Sequence, residues 1–356
     1  MALWQPPPLG TLIDYNSLKL VEVLRAGHYE VVYRALDVLS HPSKSYTVKC
    51  RAKAINQTPS QRLLHTREIA LHRLASGHPS VATLYRVIED AECDFMILDY
   101  SPERDLLIQI TAVRRYLGND GLIKEVFLQI LDAVERCHAI GIYHRTLHPG
   151  NIMCFDHGRR VAINNFRGAT INTLSNGFRH GATYSAPECQ PGHDTQPYSP
   201  MHSDIWSLGI LLLNLVAGRK PWRSANVQND KDFAAYVRHP SHFLSTQFPI
   251  SRELQRLLLE ALVLNSRERI SLPRLKMAVE NMRTFYSREA VFLDGVALHI
   301  LQTGRVNGDL SPNENSRRTL KSHKSWDEWP NRRHAGFWEL PKNKFSRSAY
   351  ESALVC

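Results

Sequence analysis

From Ser17 to Tyr100 the order of apolar and polar positions is mostly strand-like, with one helix in the middle. "LKLVEVLRAGHYEVVYRALDVL" places apolar and β-branched residues around Ala26-Gly27 and predicts a hairpin turning there. "KSYTVKCRAK" predicts another strand, and "ATLYRVIED" and "DFMILDY" two more, joined by a turn at Asp90-Ala91-Glu92. Between them "PSQRLLHTREIALHRLASG" opens on Pro59-Ser60 and stops at Gly77. It sets Leu63, Leu64, Ile69, Leu71 and Leu74 on or near one helical face.

After Tyr100 the period changes. In "GLIKEVFLQILDAVERCHAIG" the residues Ile123, Phe127, Ile130, Val134 and Cys137 recur at steps of four, three, four and three, a helix with one buried stripe. Asp204 to Ala217, Ser251 to Val263 and Leu272 to Tyr286 predict further helices. The fold class is therefore α+β, a strand-rich smaller part preceding a larger helical one, with the junction near "DYSPERDL". Regularity is lost beyond about Ala290. The divisions expected are an extension at 1–17, a strand-rich lobe at 18–100, a helical lobe at 101–288 and a basic, disordered tail at 289–356. Trp326, Trp329, Phe337 and Trp338 stand out in that polar tail as candidate docking residues.

Composition narrows the class. With 43% hydrophobic and 22% charged residues over 356 positions, the chain reads as an ordinary soluble protein. A net charge of +10 favours acidic partners, but no nucleic-acid motif appears in its required context, so nucleic acid is not an expected partner. The six cysteines lie far apart with no CxxC pair, which points to reduced thiols in an intracellular setting, cytoplasmic or nuclear. "MALWQPPPLG" has neither a basic region nor an apolar run and is not expected to be a secretory signal. "IWSLGILLLNLVAG" is too short to span a bilayer, and Cys356 is not four from the end, so no membrane partner is expected.

The chemistry lies in the order of several short motifs. Lys49 in "YTVK" falls on a strand, Glu68 in "TREIALH" on the next helix, and "HRTLHPGN" after a long helix. "VAINNFRG", "APE" at Ala186 to Glu188, "SDIWSLG" at Ser203 to Gly209 and Arg269 in "RERIS" then follow. In this order the chain resembles the eukaryotic protein kinase family from about Leu18 to Phe285, and looks most like fungal serine/threonine kinases. The resemblance implies a bilobal kinase fold, a small β-rich N-lobe with one main helix and a larger helical C-lobe. It also implies ATP and magnesium as cofactors and proteins as substrates or partners.

By that resemblance Lys49 contacts the nucleotide phosphates and is held by Glu68. Gly27 and Val32 border the nucleotide, and adenine docks at Asp99-Tyr100-Ser101 behind Leu98. Asn151 and Asn165 fall at the metal positions, and Phe166 packs between the lobes. Glu188 and Arg269 match a buried ion pair. Asp204 holds the His144-Arg145 turn, and Arg145 stands where a phosphorylated activation segment is received, with Thr170, Thr173, Ser175 and Thr183 as candidate phosphate carriers.

The departures cluster at the chemistry. Arg25, Gly27 and Glu30 stand at the three loop glycines, so Glu30 would bring negative charge toward phosphate oxygens. Thr146 replaces the aspartate base, whose help is worth roughly 10²–10⁴ in rate. His148 replaces a lysine that meets the γ-phosphate and is a candidate substitute base. Asp-Phe-Gly reads Asn165-Phe166-Arg167, removing a carboxylate that magnesium prefers. Arg167 could stand in for part of the missing metal charge. The expectation is a pseudokinase acting on a kinase or a kinase substrate as scaffold or allosteric regulator, with weak ATP binding and magnesium doubtful. Two alternatives stay open: an active atypical Ser/Thr kinase, and an interaction module working through its tail.

Overall fold

Alternating strand patterns joined by short turns build the smaller, N-terminal lobe. In the computed structural model, which describes residues 4–27, 30–53, 59–175, 183–190 and 196–299, these strands form one antiparallel sheet. β1 (Leu12–Ile13) and β2 (Leu18–Ala26) lead into β3 (Glu30–Asp37) and β4 (Ser45–Ala52). Helix α1 (Pro59–Ala75) interrupts before β5 (Leu84–Glu89) and β6 (Cys93–Asp99), and the spatial order is β1-β2-β3-β4-β6-β5. The hairpin expected at Ala26-Gly27 is present, closed by Gly27 N–H donating to the Glu30 carbonyl at 2.8 Å.

The larger lobe that follows is mainly helical. It contains α2 (Leu106–Thr111), α3 (Asp120–Ala139), a small hairpin of β7 (Ile152–Phe155) and β8 (Arg160–Ile163), and α4 (Pro200–Ala217). The short α5 (Lys231–Arg238) and α6 (Pro240–Gln247) precede α7 (Arg252–Ala261) and α8 (Leu272–Asn281). Asn119 caps α3 by accepting from Leu122 N–H, and the predicted stripe from Ile123 to Cys137 is buried throughout. α4 is apolar on nearly all sides because it runs through the core, with Ser199 as its N-cap and Gly218 in the left-handed region at its end.

Three expectations need correction. On α1 the predicted apolar face is only partly buried: Leu71 is buried and Ile69 packs against Leu98, but Leu63 and Leu74 are 65% and 66% exposed, whereas the polar His65, Glu68 and His72 are buried. The inner side of this helix meets the charged cleft between the lobes, and only Leu71 and Ala75 join the main core. α8 ends at Asn281, and the chain continues as a turn to Tyr286. Finally, residues assigned to the tail are ordered: β9 (Ala290–Leu293) and β10 (Val296–His299) form a hairpin with Ala297 fully buried. Residues 300–356, with the expected disorder and the four aromatic residues, lie outside the described residues.

Candidate active site

Strand register assembles the first part of the site. Across β3 and β4, Val32 pairs with Lys49 and Glu30 with Arg51, and the two-residue period puts Lys49 and Arg51 on one face. That face meets α1 at Glu68. Lys49 Nζ donates to Glu68 Oε1 at 2.5 Å, and Arg51 Nη2 donates to Glu68 Oε2 at 3.1 Å and to Glu30 Oε2 at 2.8 Å. Lys49 Nζ also lies 3.9 Å from Glu30 Oε2. Two carboxylates thus alternate with two cations, and Arg25 joins from the solvent side by donating to Glu30 Oε1 at 2.7 Å.

Electrostatics follow from that arrangement. Burial alone would raise the Glu68 carboxyl, yet Lys49 and Arg51 hold it down at about 2. Glu30 is lowered in the same way, burial being outweighed by Lys49, Arg51 and Arg25 despite the nearby Glu68 charge. Behind the ring, Arg51 Nη1 donates to His65 Nδ1, and His65 Nε2 faces Asp94 Oδ2 at 3.2 Å.

At the lobe junction Leu98 is buried with Leu84 and Met96, with Ile69 of α1 packed against them. The Asp99 carboxylate turns toward β5, accepting from Thr83 N–H and Tyr85 O–H, both at 2.8 Å. The Ser101 hydroxyl donates to the Cys154 carbonyl. Both side chains are therefore committed within the protein.

The catalytic-loop residues complete the site. Asp204, fully buried, accepts the backbone N–H of His144 at 2.8 Å and of Arg145 at 2.7 Å, which holds Arg145 in the left-handed region at φ 63°. His144 Nε2 donates to the Asn164 carbonyl at 3.1 Å, so its Nδ1 is the acceptor for the Thr146 hydroxyl at 3.2 Å. Burial lowers the pKa of His144. Asn165, itself left-handed at φ 65°, lies beside the loop. Lys49 Nζ donates to Asn165 Oδ1 at 3.5 Å, Asn165 Nδ2 to Asn151 Oδ1 at 3.0 Å, and Asn151 Nδ2 to the Thr146 carbonyl at 2.9 Å. Every donor in this chain points the same way.

Phe166 is fully buried between two imidazoles, stacked on His72 at 4.7 Å and edge-on to His144 at 5.0 Å between ring centroids. Arg167 is exposed, and its charge contributes to the lowering of Glu68. His148 caps its own turn, Nδ1 accepting from Gly150 N–H at 3.2 Å, and its ring lies beside Tyr184. Arg145 donates to the Gly168 carbonyl and, at 2.9 Å, to the Ser175 hydroxyl. Of the four candidate phosphate carriers, Thr173 is exposed while Thr170, Ser175 and Thr183 are buried. Glu188 and Arg269 form a two-pronged pair at 2.6 and 2.8 Å, with the guanidinium over the Trp206 ring. Among the described residues no cluster of three His, Cys, Asp or Glu side chains is arranged to hold a metal, and no helix is long and apolar enough to cross a membrane.

A protein kinase domain model matches residues 18–280. The chain belongs to the protein kinase family. Its kinase domain is similar to a negative regulator of sexual conjugation and meiosis from Schizosaccharomyces pombe, 39% identical over 301 residues. The alignment covers 79% of this chain and 63% of that relative. The serine/threonine-protein kinase VHS1 of Saccharomyces cerevisiae is 31% identical over 239 residues, 63% of this chain and 51% of its own length. The Schizosaccharomyces pombe serine/threonine-protein kinase ksp1 is 30% identical over 307 residues, 79% and 62% respectively. The chain thus spans less than two thirds of these relatives. Kinase domains in general bind ATP and magnesium.

The kinase-like landmarks of the sequence converge as one connected set: Glu68, Lys49, Asn165, Asn151 and Thr146 are linked in series by hydrogen bonds. Arg51, His65 and His72 were not singled out by sequence reasoning. Their signal was present: Arg51 is two residues after Lys49, on the same strand face, and His72 is one helical turn after Glu68.

Proposed function

We propose that this kinase-family chain works by binding a protein partner in signalling, with weak or no ATP binding and little phosphate transfer. The observation that carries the reading is the one-way chain from Lys49 through Asn165 and Asn151 to the Thr146 carbonyl. The donor set does not fit magnesium: both residues at the metal positions are neutral amides, and Asn165 already occupies the Asn151 oxygen. Rotating the Asn165 amide to free it would turn an N–H₂ toward the Lys49 ammonium. The threonine at the base position is a donor to a buried, neutral-leaning imidazole, so it has no basic lone pair comparable to a carboxylate. Protein recognition fits the intact frame, the Glu188–Arg269 and Asp204 braces included.

The second reading is an active atypical Ser/Thr kinase using His148, with a metal held by Asn151 and Asn165. The Lys49–Glu68 pair favours it, as do relatives named as serine/threonine kinases. A thermal-shift titration of the full chain with ATP, with and without magnesium and beside Lys49→Ala, separates the two. Small and equal shifts with and without the metal are expected, because a ligand raises the midpoint only once its concentration exceeds its dissociation constant. A large magnesium-dependent shift that disappears in Lys49→Ala overturns the first reading.

A further inference from the structure

The ring around Lys49 holds two charges more than a simple lobe brace needs. Lys49 and Glu68 alone would make a strand-to-helix pair. Arg51 and Glu30 enlarge it, and neither is needed to neutralise the other two. Each Glu30 oxygen is held separately: Oε1 by Arg25 at 2.7 Å, and Oε2 by Arg51 at 2.8 Å with Lys49 at 3.9 Å. Without Glu30, the three cations Arg25, Lys49 and Arg51 would face the single carboxylate of Glu68, leaving two positive charges unmatched.

We infer that Glu30 is an internal occupant of a phosphate seat, and that Lys49, Arg51 and Arg25 take a metal-free phosphate-bearing anion when its carboxylate is removed. The inference rests on the reading that magnesium contributes little here. A phosphate presents the same pair of charged acceptor oxygens as a carboxylate, and guanidinium groups bind both in the same forked way. The approach lies on the Arg25 side, since that side chain is 58% exposed while those of Lys49, Arg51 and Glu30 are nearly covered. Glu68, fully buried behind them, keeps the two inner cations in place whichever anion sits in front.

An internal competitor weakens a ligand by the fraction of time it leaves the seat open. One charge-assisted hydrogen bond of ordinary strength corresponds to about a tenfold to hundredfold loss of apparent affinity. Glu30 therefore sets the threshold for phosphate binding in this chain, independently of the missing metal carboxylate.

The test uses the full chain in metal-free buffer at low salt, titrated by calorimetry with sodium tripolyphosphate and separately with ATP. Wild type, Glu30→Gln and the double variant Glu30→Gln/Lys49→Ala are compared. Glu30→Gln should bind both anions at least about tenfold more tightly than wild type, and the added Lys49→Ala should abolish the gain. Equal affinities in wild type and Glu30→Gln overturn the inference, as does a gain that survives Lys49→Ala. A gain for ATP without one for tripolyphosphate also overturns it, because recognition would then lie in the base. If Glu30→Gln does not fold, Glu30→Gly is measured and read in the same way. Magnesium-dependent ATP binding by wild type would defeat the reading of the preceding section, while the metal-free comparison would still decide this one.

Discussion

A Cβ built on Gly168 would lie 2.6 Å from the Thr146 methyl carbon and 3.3 Å from the His144 carbonyl oxygen. The threonine at the base position is thus accommodated by a residue without a side chain, one place beyond Arg167. Gly168→Ala should destabilise the protein by about 1–3 kcal/mol, the usual effect of inserting a carbon into a filled site. Thr146→Ser removes the methyl, so the double variant should recover most of that loss in a denaturant midpoint. Strictly additive losses would show that the two residues do not share the space. At this scale the sequence was partly legible. Thr146, Asn165 and Arg167 stood out as departures from the family pattern, but the amide chain joining Asn165 to Asn151 depends on orientation, which no motif encodes.

Helix α1 carries the charged cleft and the hydrophobic interior on neighbouring positions. Its buried side repeats at 65, 68, 72 and 75, a proper helical period, but three of these residues are polar. Hydrophobic patterning therefore found the helix but only part of its buried face, because a helix wedged between lobes buries whatever the cleft requires. His72 shows the consequence. Burial lowers its pKa to about 4, against a partly opposing hydrogen bond with the Ala82 carbonyl. The unfolded chain takes up that proton near pH 6.5, so between about 6.5 and 4 the unfolded state binds more protons and stability falls as the pH drops. The loss from this one group is roughly 3 kcal/mol, complete below about pH 4. His144, also lowered by burial, acts in the same direction. Glu68 adds a separate loss only below about pH 4.5, as the pH approaches its folded value of about 2. Denaturant midpoints at pH 7.5, 6 and 5 should fall steadily for wild type and less steeply for His72→Leu. Parallel slopes would mean that His72 is protonated in the folded protein.

For the whole molecule, the ordered region extends beyond the family match. The β9–β10 hairpin follows residue 280, yet Ala297 is buried in the main core and Phe292 stacks edge-on against Tyr286 at 5.0 Å. Tyr286 O–H donates to the Val216 carbonyl at the end of α4, so the hairpin closes over that helix terminus. A chain ending at 289 should lose about 2 kcal/mol relative to one ending at 299, from the apolar surface uncovered, and melt several degrees lower. Equal midpoints would make the hairpin an ornament. Sequence reading missed it because two four-residue strands leave little periodicity to detect. The two lobes were legible because long stripes and ordered motifs repeat the same message many times over. The one-way hydrogen-bond chain also resists a single substitution. A chain given aspartate at 165 alone would set a carboxylate oxygen against Asn151 Oδ1, and turning the Asn151 amide would only move the conflict to the Thr146 carbonyl. Those oxygens tolerate one another only with a cation between them. Restoring a metal carboxylate at 165 alone therefore costs stability unless a cation arrives with it, and the amide chain holds this site in a metal-free arrangement.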